Sequence, residues 1–262
     1  MPELPEVETV VRSLAPVIVG QRIQHAEFRQ LRILKGEAQA TVEAVTGQKI
    51  EGIKRHGKFI AIQLERGVLT VHLGMTGRLL IDPEPTKWTH ALFTLEHNML
   101  LFDDPRQFGR IEYGATLPER VAALGPEPLE VTLEEFTRRV RERKSPIKAV
   151  LLNQAVVRGV GNIYADELLH RAGVLPRRKA ASLAKDRIRK IFDAMREVLS
   201  EAIAARGSSV SDYVDADGNK GDFQNSHRVY QRHGEPCTTC GMPVKRIILA
   251  QRGTHYCGVC QK

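Results

Sequence analysis

The chain begins MPELPEVETVVRSL (residues 1–14), a stretch that predicts an amphipathic helix around which the fold is organised. Pro5 suits the first turn of a helix, because its missing N–H would have no partner there in any case. The apolar residues of the stretch recur at helical spacing, so one face of the helix must be buried against another element. We expect the helix to end at Gly20, with Pro16 as an earlier position where it kinks or stops.

The same stretch places an amine beside a carboxylic acid. Removal of Met1 would leave Pro2 as an N-terminal secondary amine, and an α-amino group has a pKa near ~8 when unperturbed. The positive end of the helix dipole disfavours the ammonium form and leaves the nitrogen lone pair available for attack, with Glu3 within reach as the acid. With Met1 attached, the Pro2 nitrogen is a tertiary amide and cannot act as a nucleophile. An ordinary capped helix with a frayed acidic start is the alternative interpretation.

The 262 residues, 42% of them hydrophobic, indicate a globular protein of one large or two medium domains. The net charge is +8, but residues 138–190 alone hold 15 Lys and Arg against four Asp and Glu. This local excess is larger than the charge of the whole chain, so the basic charge is regional. Such a region is typical of a polyanion-binding surface, although a solvated helix face has the same composition.

The sequence has no feature of a membrane or secretion signal. Apolar runs fall short of the ~18 residues of a membrane span, and the acidic start does not resemble a signal peptide. We therefore expect no membrane partner, and a location in the cytoplasm or the nucleoid of a bacterium.

Strand-like and helical patterns occupy different parts of the chain. From residue 21 to about 114, short segments separated by turns predict antiparallel strands, including a hairpin of residues 91–95 with 99–102. Strands at this spacing are typical of a β-sandwich or barrel. The pattern breaks near Gly125-Pro126-Glu127-Pro128, and helices are predicted beyond it over residues 133–143, 147–153, 159–171 and 183–206. Residues 207–226 predict a mobile loop, because they are rich in Ser, Asp and Gly and have no periodicity.

The four cysteines form two CxxC pairs, Cys237/Cys240 and Cys257/Cys260, with 16 residues between the pairs. Two such pairs place four thiolates around one Zn²⁺ and close its tetrahedral shell, so we predict one structural zinc ion. Two disulfides in a secreted protein are the alternative, which no signal peptide supports. Between the pairs, residues 244–250 and 255–256 predict a hairpin with Arg252 at its tip.

Several loops carry residues suited to binding or deforming nucleic acid. A Gly-Val-Gly-Asn turn at 159–162 precedes a helix, and such a turn can bind a phosphate through backbone N–H groups. In the strand-rich part, a turn presents Lys58, and glycine-bounded loops present Met75, Arg106 and Phe108. Apolar side chains on tight loops suit wedges driven between base pairs, with arginine filling a vacated place in the stack. Each is individually typical of a loop anchor, and together they indicate an enzyme that everts a base.

With these motifs in place, the chain resembles the family of bacterial formamidopyrimidine-DNA glycosylases, which also contains endonuclease VIII. The resemblance spans nearly the whole chain, through residues 2–9, 72–77, 104–109, 159–167 and the terminal finger. It implies an α+β fold with an N-terminal helix plus an antiparallel β-sandwich, and a helical helix–two-turns–helix domain with a zinc-finger β-hairpin. The implied domains are a catalytic sandwich (1–125), a helix–two-turns–helix domain with a lesion-capping loop (126–226) and the zinc finger (227–262). DNA would bind in the cleft between the two main domains.

The resemblance also implies a reaction and a partner. A bifunctional glycosylase and abasic-site lyase of this kind acts as a monomer on double-stranded DNA that contains abasic sites or oxidised purines, such as 8-oxoguanine and formamidopyrimidines. Pro2 would attack C1′ of the damaged nucleotide while Glu3 assists sugar-ring opening, and β,δ-elimination through the Schiff base would break the strand. The other implied site residues are Lys58 and Arg252 for phosphate contact and proton donation; Met75, Arg106 and Phe108 for the gap left by the everted base; and His90, Arg143, Lys144, Lys148 and Asn162 for further DNA contacts.

The sequence departs from the family pattern at several positions. Gln107 replaces a commonly basic residue, Gln231 stands where Gly is frequent, and Trp88 stands where His is frequent. The loop at 208–224 closes over the flipped base in the family. Here it contains Ser208-Ser209 and Asp222 and differs from the usual Thr-rich and aromatic pattern.

Two other functions stay open at this point. An enzyme of the endonuclease VIII type would act on oxidised pyrimidines, although Leu4 is similar to the purine-directed branch. A DNA-binding module without catalysis would keep the zinc finger and the basic helices. Such a module would not need Pro2, Glu3 and Lys58 together, so their presence favours an enzyme.

Overall fold

The computed structural model describes residues 1–210 and 212–262, which form two compact units. Unit 1 comprises residues 1–123 and 205–222, and unit 2 comprises residues 124–204 and 223–262. The sequence groups residues 205–222 with the helical domain, whereas the structure places them in unit 1. The physical reason is their hydrogen bonding, since the Ser208 N–H binds Glu6 and the Asp212 carbonyl accepts Arg78.

Unit 1 contains two β-sheets and begins with a helix. Its helices are α1 (Leu4–Ile18), α2 (Ala38–Val45) and α3 (Glu119–Ala122). Its strands are β1 (Ile23–Phe28), β2 (Leu34–Lys35), β3 (Ile50–His56), β4 (Phe59–Leu64), β5 (Val68–His72), β6 (Arg78–Ile81), β7 (Thr89–Leu95), β8 (Met99–Asp103) and β9 (Arg110–Gly114). One sheet has the order β1-β7-β8-β6 and the other the order β2-β9-β5-β4-β3. Paired strands run antiparallel, except that β2 runs parallel to β9.

The apolar face of α1 is completely buried, as the sequence predicts. Val7, Val10, Leu14 and Ile18 are each 0% exposed and share one core with side chains from both sheets. The helix contacts β3 and β4. Burial of aliphatic side chains of this size contributes about 1.5–3 kcal/mol each. Pro16 lies inside α1 and does not end it. Its missing N–H removes only one hydrogen bond of the helix, which continues for two more residues to Ile18.

The strand predictions are confirmed for the central hairpin, but the sequence does not reveal α2. Residues 91–95 and 99–102 pair within β7 and β8. The helix α2 lies in a region where the sequence predicts only strands and turns. Its N-cap is Glu37, whose carboxylate accepts the N–H groups of Gln39 at 3.0 Å and Ala40 at 2.6 Å. A carboxylate cap is a local start signal, but the helix is too short to show a clear apolar periodicity.

Unit 2 contains the predicted helices and the finger hairpin. They are α4 (Leu133–Arg141), α5 (Ile147–Leu152), α6 (Asn162–Arg171), α7 (Lys185–Ala204), β10 (Lys245–Leu249) and β11 (Arg252–Tyr256). The helix α7 packs against α4 and α6, and α6 also contacts α5 and β11. The hairpin turn consists of Ala250 and Gln251, so Arg252 is the first residue of β11 and not the tip. Within the described residues, none of the helices combines the length and apolar character needed to cross a bilayer.

Two histidines are kept neutral by their surroundings. Burial, followed by the positive charge of nearby Lys58, lowers the pKa of His72 in unit 1 to about 4. Burial and the charge of Arg232 lower the pKa of His227 in unit 2 to about 4. The His227 ring is 8% exposed and lies in edge contact with two aromatic rings. Both side chains therefore favour the folded state only in their neutral form.

We expect the free energy of unfolding to fall as the pH decreases from 6.5 to about 4. In this range the histidines of the unfolded chain bind protons that the folded chain does not bind, so acid favours unfolding. The slope is at most about 1.4 kcal/mol per pH unit for each histidine, and smaller for the partly exposed His72. Urea unfolding at a series of pH values measures it.

The matched comparison uses His227→Gln and, as a control, His233→Gln at an exposed position. His227→Gln should reduce the pH slope, because it removes the group that titrates, whereas His233→Gln should leave the slope unchanged. Identical slopes in the wild type and in His227→Gln would contradict this assignment.

Candidate functional site

The start of α1 is fixed by the carboxylate of Glu6, a residue that is 1% exposed. Its Oε2 accepts the N–H of Glu3 at 2.7 Å, and its Oε1 accepts the N–H of Ser208 at 2.7 Å. Gly207 has φ +80°, and a Cβ there would lie 2.8 Å from the Glu6 Oε1, so glycine is required for this close approach. The arrangement holds Pro2 and Glu3, both buried, at one defined position.

The turn between β3 and β4 places Lys58 close to His72. Lys58 is 8% exposed, and the next residue, Phe59, pairs with His72 across β4 and β5. The Nδ1 of His72 accepts the N–H of Gly74 at 3.1 Å, so the hydrogen-bond network assigns the proton of the neutral ring to Nε2. The sequence alone does not identify His72 as a site residue, although His72 opens the His-Leu-Gly-Met-Thr-Gly motif that carries Met75.

Asp104 is the buried centre of the loops that carry the predicted wedge residues. The residue is 0% exposed, and its carboxylate accepts the hydroxyl of Thr76 at 2.5 Å and the N–H of Gly109 at 2.7 Å. The N–H of Arg106 lies 3.3 Å from the same carboxylate. The backbone oxygen of Asp104 is bonded to the Nε2 of His90 at 2.9 Å. Asp104 therefore connects the loop before β6, the strand β7 and the loop before β9.

The structure brings Met75, Arg106 and Phe108 together on these loops with their side chains exposed. Met75 is 40% exposed and Phe108 is 44% exposed, although both are large and apolar. The guanidinium of Arg106 lies 4.8 Å from the ring centroid of Phe108. A Cβ on Gly74 would lie 2.6 Å from the carbonyl carbon of Phe108, so glycine allows the two loops to touch. Apolar side chains presented on such anchored loops indicate a binding surface.

The structure also defines the exposure or the backbone conformation of four further residues that the sequence singles out. His90 is 5% exposed and bonded to Asp104, so its ring is not presented to solvent, whereas Trp88 is 40% exposed. Gln107 has φ +55° and Gln231 has φ +60°, a left-handed conformation that glycine adopts without strain.

Lys148, one of the residues expected to contact a DNA phosphate, is buried and ion-paired in the structure. It is 0% exposed, and its Nζ lies 2.7 Å from the Oδ1 of Asp166, which is also 0% exposed. The same Nζ donates to the carbonyl of Gly253 at 3.0 Å and to the hydroxyl of Thr254 at 2.8 Å. Asp166 also accepts the N–H of His255 at 2.9 Å. The buried ion pair therefore fixes the start of β11 against α5 and α6.

The other predicted contact residues of unit 2 are arranged around this ion pair. Asn162 is the first residue of α6, and its Nδ2 donates to the carbonyl of Gly253 at 3.1 Å. Arg252 is exposed next to that doubly bonded glycine, so its backbone is held while its side chain faces solvent. Arg143 and Lys144 are exposed in the connection between α4 and α5.

The four cysteines are gathered as a metal-binding group. Their Sγ atoms lie within 4.8 Å of one another, with 3.9 Å between Cys237 and Cys260 and 3.4 Å between Cys240 and Cys257. Tetrahedral Zn–S bonds of about 2.3 Å require S–S distances of about 3.8 Å, so the spacing and the donor set fit one zinc ion. Four thiolates leave no open position on the metal, which makes the zinc structural.

Comparison with known proteins identifies the family. Three family models match the chain in order. They are the formamidopyrimidine-DNA glycosylase N-terminal domain over residues 1–111, the formamidopyrimidine-DNA glycosylase H2TH domain over residues 124–214, and the zinc finger found in FPG and IleRS over residues 234–262. The chain belongs to the formamidopyrimidine-DNA glycosylase family. The resemblance seen in the sequence, the α+β fold and the single zinc ion are thereby confirmed.

Relatives in this glycosylase family match along the full chain. A formamidopyrimidine-DNA glycosylase of Solibacter usitatus is 57% identical over 264 residues and 100% of both chains. The crystal structure of the FPG protein of Thermus thermophilus has a TM-score of 0.91 at 43% identity, over 99% of this chain and 98% of that one. A Lactococcus lactis Fpg in complex with DNA that contains an abasic site has a TM-score of 0.92 at 35% identity, over 99% of each chain.

Asp104→Asn should lower the free energy of unfolding by about 1–3 kcal/mol, because the amide presents a donor where the carboxylate accepts hydroxyl and N–H groups. The loop that carries Arg106 should also open locally, so trypsin should cleave after Arg106 faster than in the wild type. Urea unfolding and limited proteolysis under native conditions measure the two effects.

The control for Asp104→Asn is Asp193→Asn, which removes the same charge at an exposed position of α7. It should change the free energy of unfolding by no more than about 0.5 kcal/mol. An Asp104→Asn protein that is as stable and as resistant to trypsin as this control would contradict the role of Asp104.

Proposed function

We propose that the protein is a bifunctional DNA glycosylase and abasic-site lyase. It acts as a monomer on DNA of the bacterial nucleoid, removes oxidised purines such as 8-oxoguanine and formamidopyrimidines, and cleaves the strand by β,δ-elimination. The observation that carries the proposal is the fixed start of α1, where Pro2 and Glu3 are buried together beside the carboxylate of Glu6. Complexes of Lactococcus lactis Fpg proteins with DNA that contains Fapy-dG or an abasic site support the substrate class.

The first half of the reaction begins when Met1 has been removed and Pro2 is a secondary amine. The nitrogen lone pair forms a bond to C1′, the base leaves with the electron pair of the glycosidic bond, and the proton lost by the amine passes to the departing base. Glu3 assists by protonating the sugar-ring oxygen, so the ring opens and a C1′ iminium forms. This iminium has no N–H proton to lose, and it therefore keeps its positive charge until the strand is cut.

The second half consists of two eliminations that the iminium drives. It acidifies the C2′ proton, and loss of that proton expels the 3′ phosphate. A second elimination then expels the 5′ phosphate. Lys58 and Arg252 supply positive charge and a proton to the leaving phosphates. The neutral ring of His72, placed near Lys58 with Nε2 as its N–H group, is a further donor for a phosphate oxygen.

The remaining site residues bind and deform the DNA. Met75, Arg106 and Phe108 occupy the gap left by the everted base, and Arg143, Lys144 and Asn162 contact phosphates. His90 and Lys148 support DNA binding by holding other residues, because each is hydrogen-bonded to a segment that carries a contact residue. His90 holds the Asp104 loop, and Lys148 holds the backbone beside Arg252. Zinc, when bound to the four cysteines, supplies folding free energy to the finger and takes no part in the chemistry.

Borohydride trapping tests the proposal. Sodium borohydride added during turnover of an 8-oxoguanine duplex should reduce the iminium and leave DNA attached to the N-terminal peptide, which mass spectrometry identifies. A matched form with one extra N-terminal residue has an acylated Pro2, and it should fold and bind zinc but give no adduct. Glu3→Gln should slow base release and keep some lyase activity on a pre-formed abasic site.

The same assays distinguish this proposal from its alternatives. An adduct on Lys58 in protein with a free Pro2 would overturn the N-terminal mechanism. Duplexes that contain an oxidised purine or an oxidised pyrimidine separate the two enzyme types, a comparison motivated by the divergent residues 208–224. DNA binding without incision of either lesion would reduce the protein to a binding module.

Phe108→Ala should slow excision much more than it weakens binding to undamaged DNA. Loss of a wedge side chain costs about a few kcal/mol on the eversion equilibrium, which corresponds to at least about a tenfold lower single-turnover rate. Single-turnover excision of 8-oxoguanine and anisotropy titration of an undamaged duplex measure the two effects.

Lys144→Gln is the reciprocal comparison for Phe108→Ala. It should lower the salt slope of DNA binding by about one phosphate equivalent and leave the excision rate at saturating protein unchanged. Equal losses of excision and of undamaged-DNA binding in Phe108→Ala would indicate a folding defect and contradict the wedge role.

A further inference from the structure

Besides the bonds of Asn162 and Asp166 to β11, the helix α6 and the segment after it are attached to the C-terminal finger region through Glu167 and Val174. Glu167 accepts three consecutive backbone N–H groups, those of residues 228–230, at 2.8 to 3.0 Å. Beyond the other end of the helix, the Nε2 of Gln261 donates to the carbonyl of Val174 at 2.9 Å. Between these attachments lies His170, which is 4% exposed. A polar ring buried at this position needs a hydrogen-bonding partner.

The partner of His170 is a zinc ligand. Its Nε2 lies 3.4 Å from the Sγ of Cys237. Its Nδ1 has no hydrogen-bond partner in the part of the chain that the structure describes. A proton on Nδ1 would bury an unbonded N–H and direct the Nε2 lone pair at the sulfur, whereas a proton on Nε2 leaves Nδ1 as an acceptor only. The surroundings therefore favour the ring with its proton on Nε2.

We propose that His170 donates its Nε2–H to the zinc-bound thiolate of Cys237 and thereby anchors the metal site to α6. Thiolates bound to Zn²⁺ keep lone pairs that accept hydrogen bonds, and donors outside the ligand set orient the ligands and strengthen metal binding. Inside the finger, the N–H of Thr239 points at Cys237 and the N–H of Cys260 at Cys257, both at 3.5 Å. His170 adds a donor from a different element.

The bond gives zinc binding an influence on α6. A metal ion that holds the Cys237 thiolate in place also holds the hydrogen bond between that thiolate and the helix. The same helix carries Asn162 at its first position and the buried Asp166, which holds His255. Zinc therefore stabilises the helix as well as the finger. This inference rests on the zinc site and does not depend on the proposed enzymatic reaction.

The experiment compares His170→Met with His170→Gln in the full-length zinc-loaded protein. Met and Gln have nearly the same length, but Gln keeps an N–H donor near the position of the histidine Nε2. His170→Met should lower the zinc affinity by about 10–100-fold, the usual effect of losing a donor to a metal ligand, and His170→Gln by no more than about threefold. Competition with a chromophoric zinc chelator at constant pH measures both.

A spectroscopic measurement accompanies the affinities. In the Co²⁺-substituted proteins, the thiolate-to-metal charge-transfer band should move to lower energy in His170→Met and stay in place in His170→Gln, because only Met removes charge stabilisation from the sulfur. Equal zinc affinities in the two variants, whether unchanged or reduced together, would overturn the proposal, since the N–H donor would then not matter.

A measurement on the unaltered protein makes the test independent of how the variants fold. In the ¹¹³Cd-substituted chain, the Nε2 proton of His170 should show scalar coupling to the metal through the N–H···S bond. The backbone N–H groups of Thr239 and Cys260 are internal controls, since they point at ligand sulfurs in the same site. Coupling to these backbone protons without coupling to the imidazole proton would overturn the proposal.

Discussion

Buried carboxylates that accept backbone N–H groups hold the functional segments of this protein in place. A carboxylate removed from water must have its oxygens bonded, because an unpaired buried charge costs several kcal/mol. Glu6, Asp104, Asp166 and Glu167 are each at most 2% exposed, and each accepts the backbone N–H of a loop or of a strand. Burial raises the pKa of Glu167, and its three backbone N–H bonds oppose that shift. Each carboxylate thus fixes the position of the loop or strand whose N–H groups it accepts.

The finger hairpin shows how strongly local structure depends on such attachments. Ala250 and Gln251 both have positive φ, the pattern of a two-residue turn that favours asparagine and glycine. Neither residue favours this conformation, so the turn is maintained by its surroundings. Those surroundings are the bonds of Lys148 to β11 and the metal site at the base of the hairpin. The position of Arg252 is therefore a consequence of buried groups on α5 and α6.

The sequence by itself determined the elements whose signals are local. The apolar spacing after Pro5 specified α1, and two short apolar segments flanking Glu96-His97-Asn98 specified the hairpin of β7 and β8. Four helices of unit 2 were also predicted from the sequence, one of them from the Gly-Val-Gly-Asn turn that precedes it. The two CxxC pairs specified the zinc site, because four thiolates at this spacing suit one metal. Glycine-bounded loops likewise identified Met75 and Phe108 as exposed apolar residues.

Only the tertiary structure decided which polar residues are buried and what they bond. Lys148 and His90 are residue types that usually lie at the protein surface. In the structure both are buried, because Lys148 pairs with Asp166 and His90 is bonded to the backbone oxygen of Asp104. Residues 205–222 join unit 1 because Glu6, about 200 positions away along the chain, accepts a backbone N–H there. No local pattern encodes such a pairing. A side chain's burial and hydrogen-bond partner are set by groups distant in sequence, and these become neighbours only when the chain is folded.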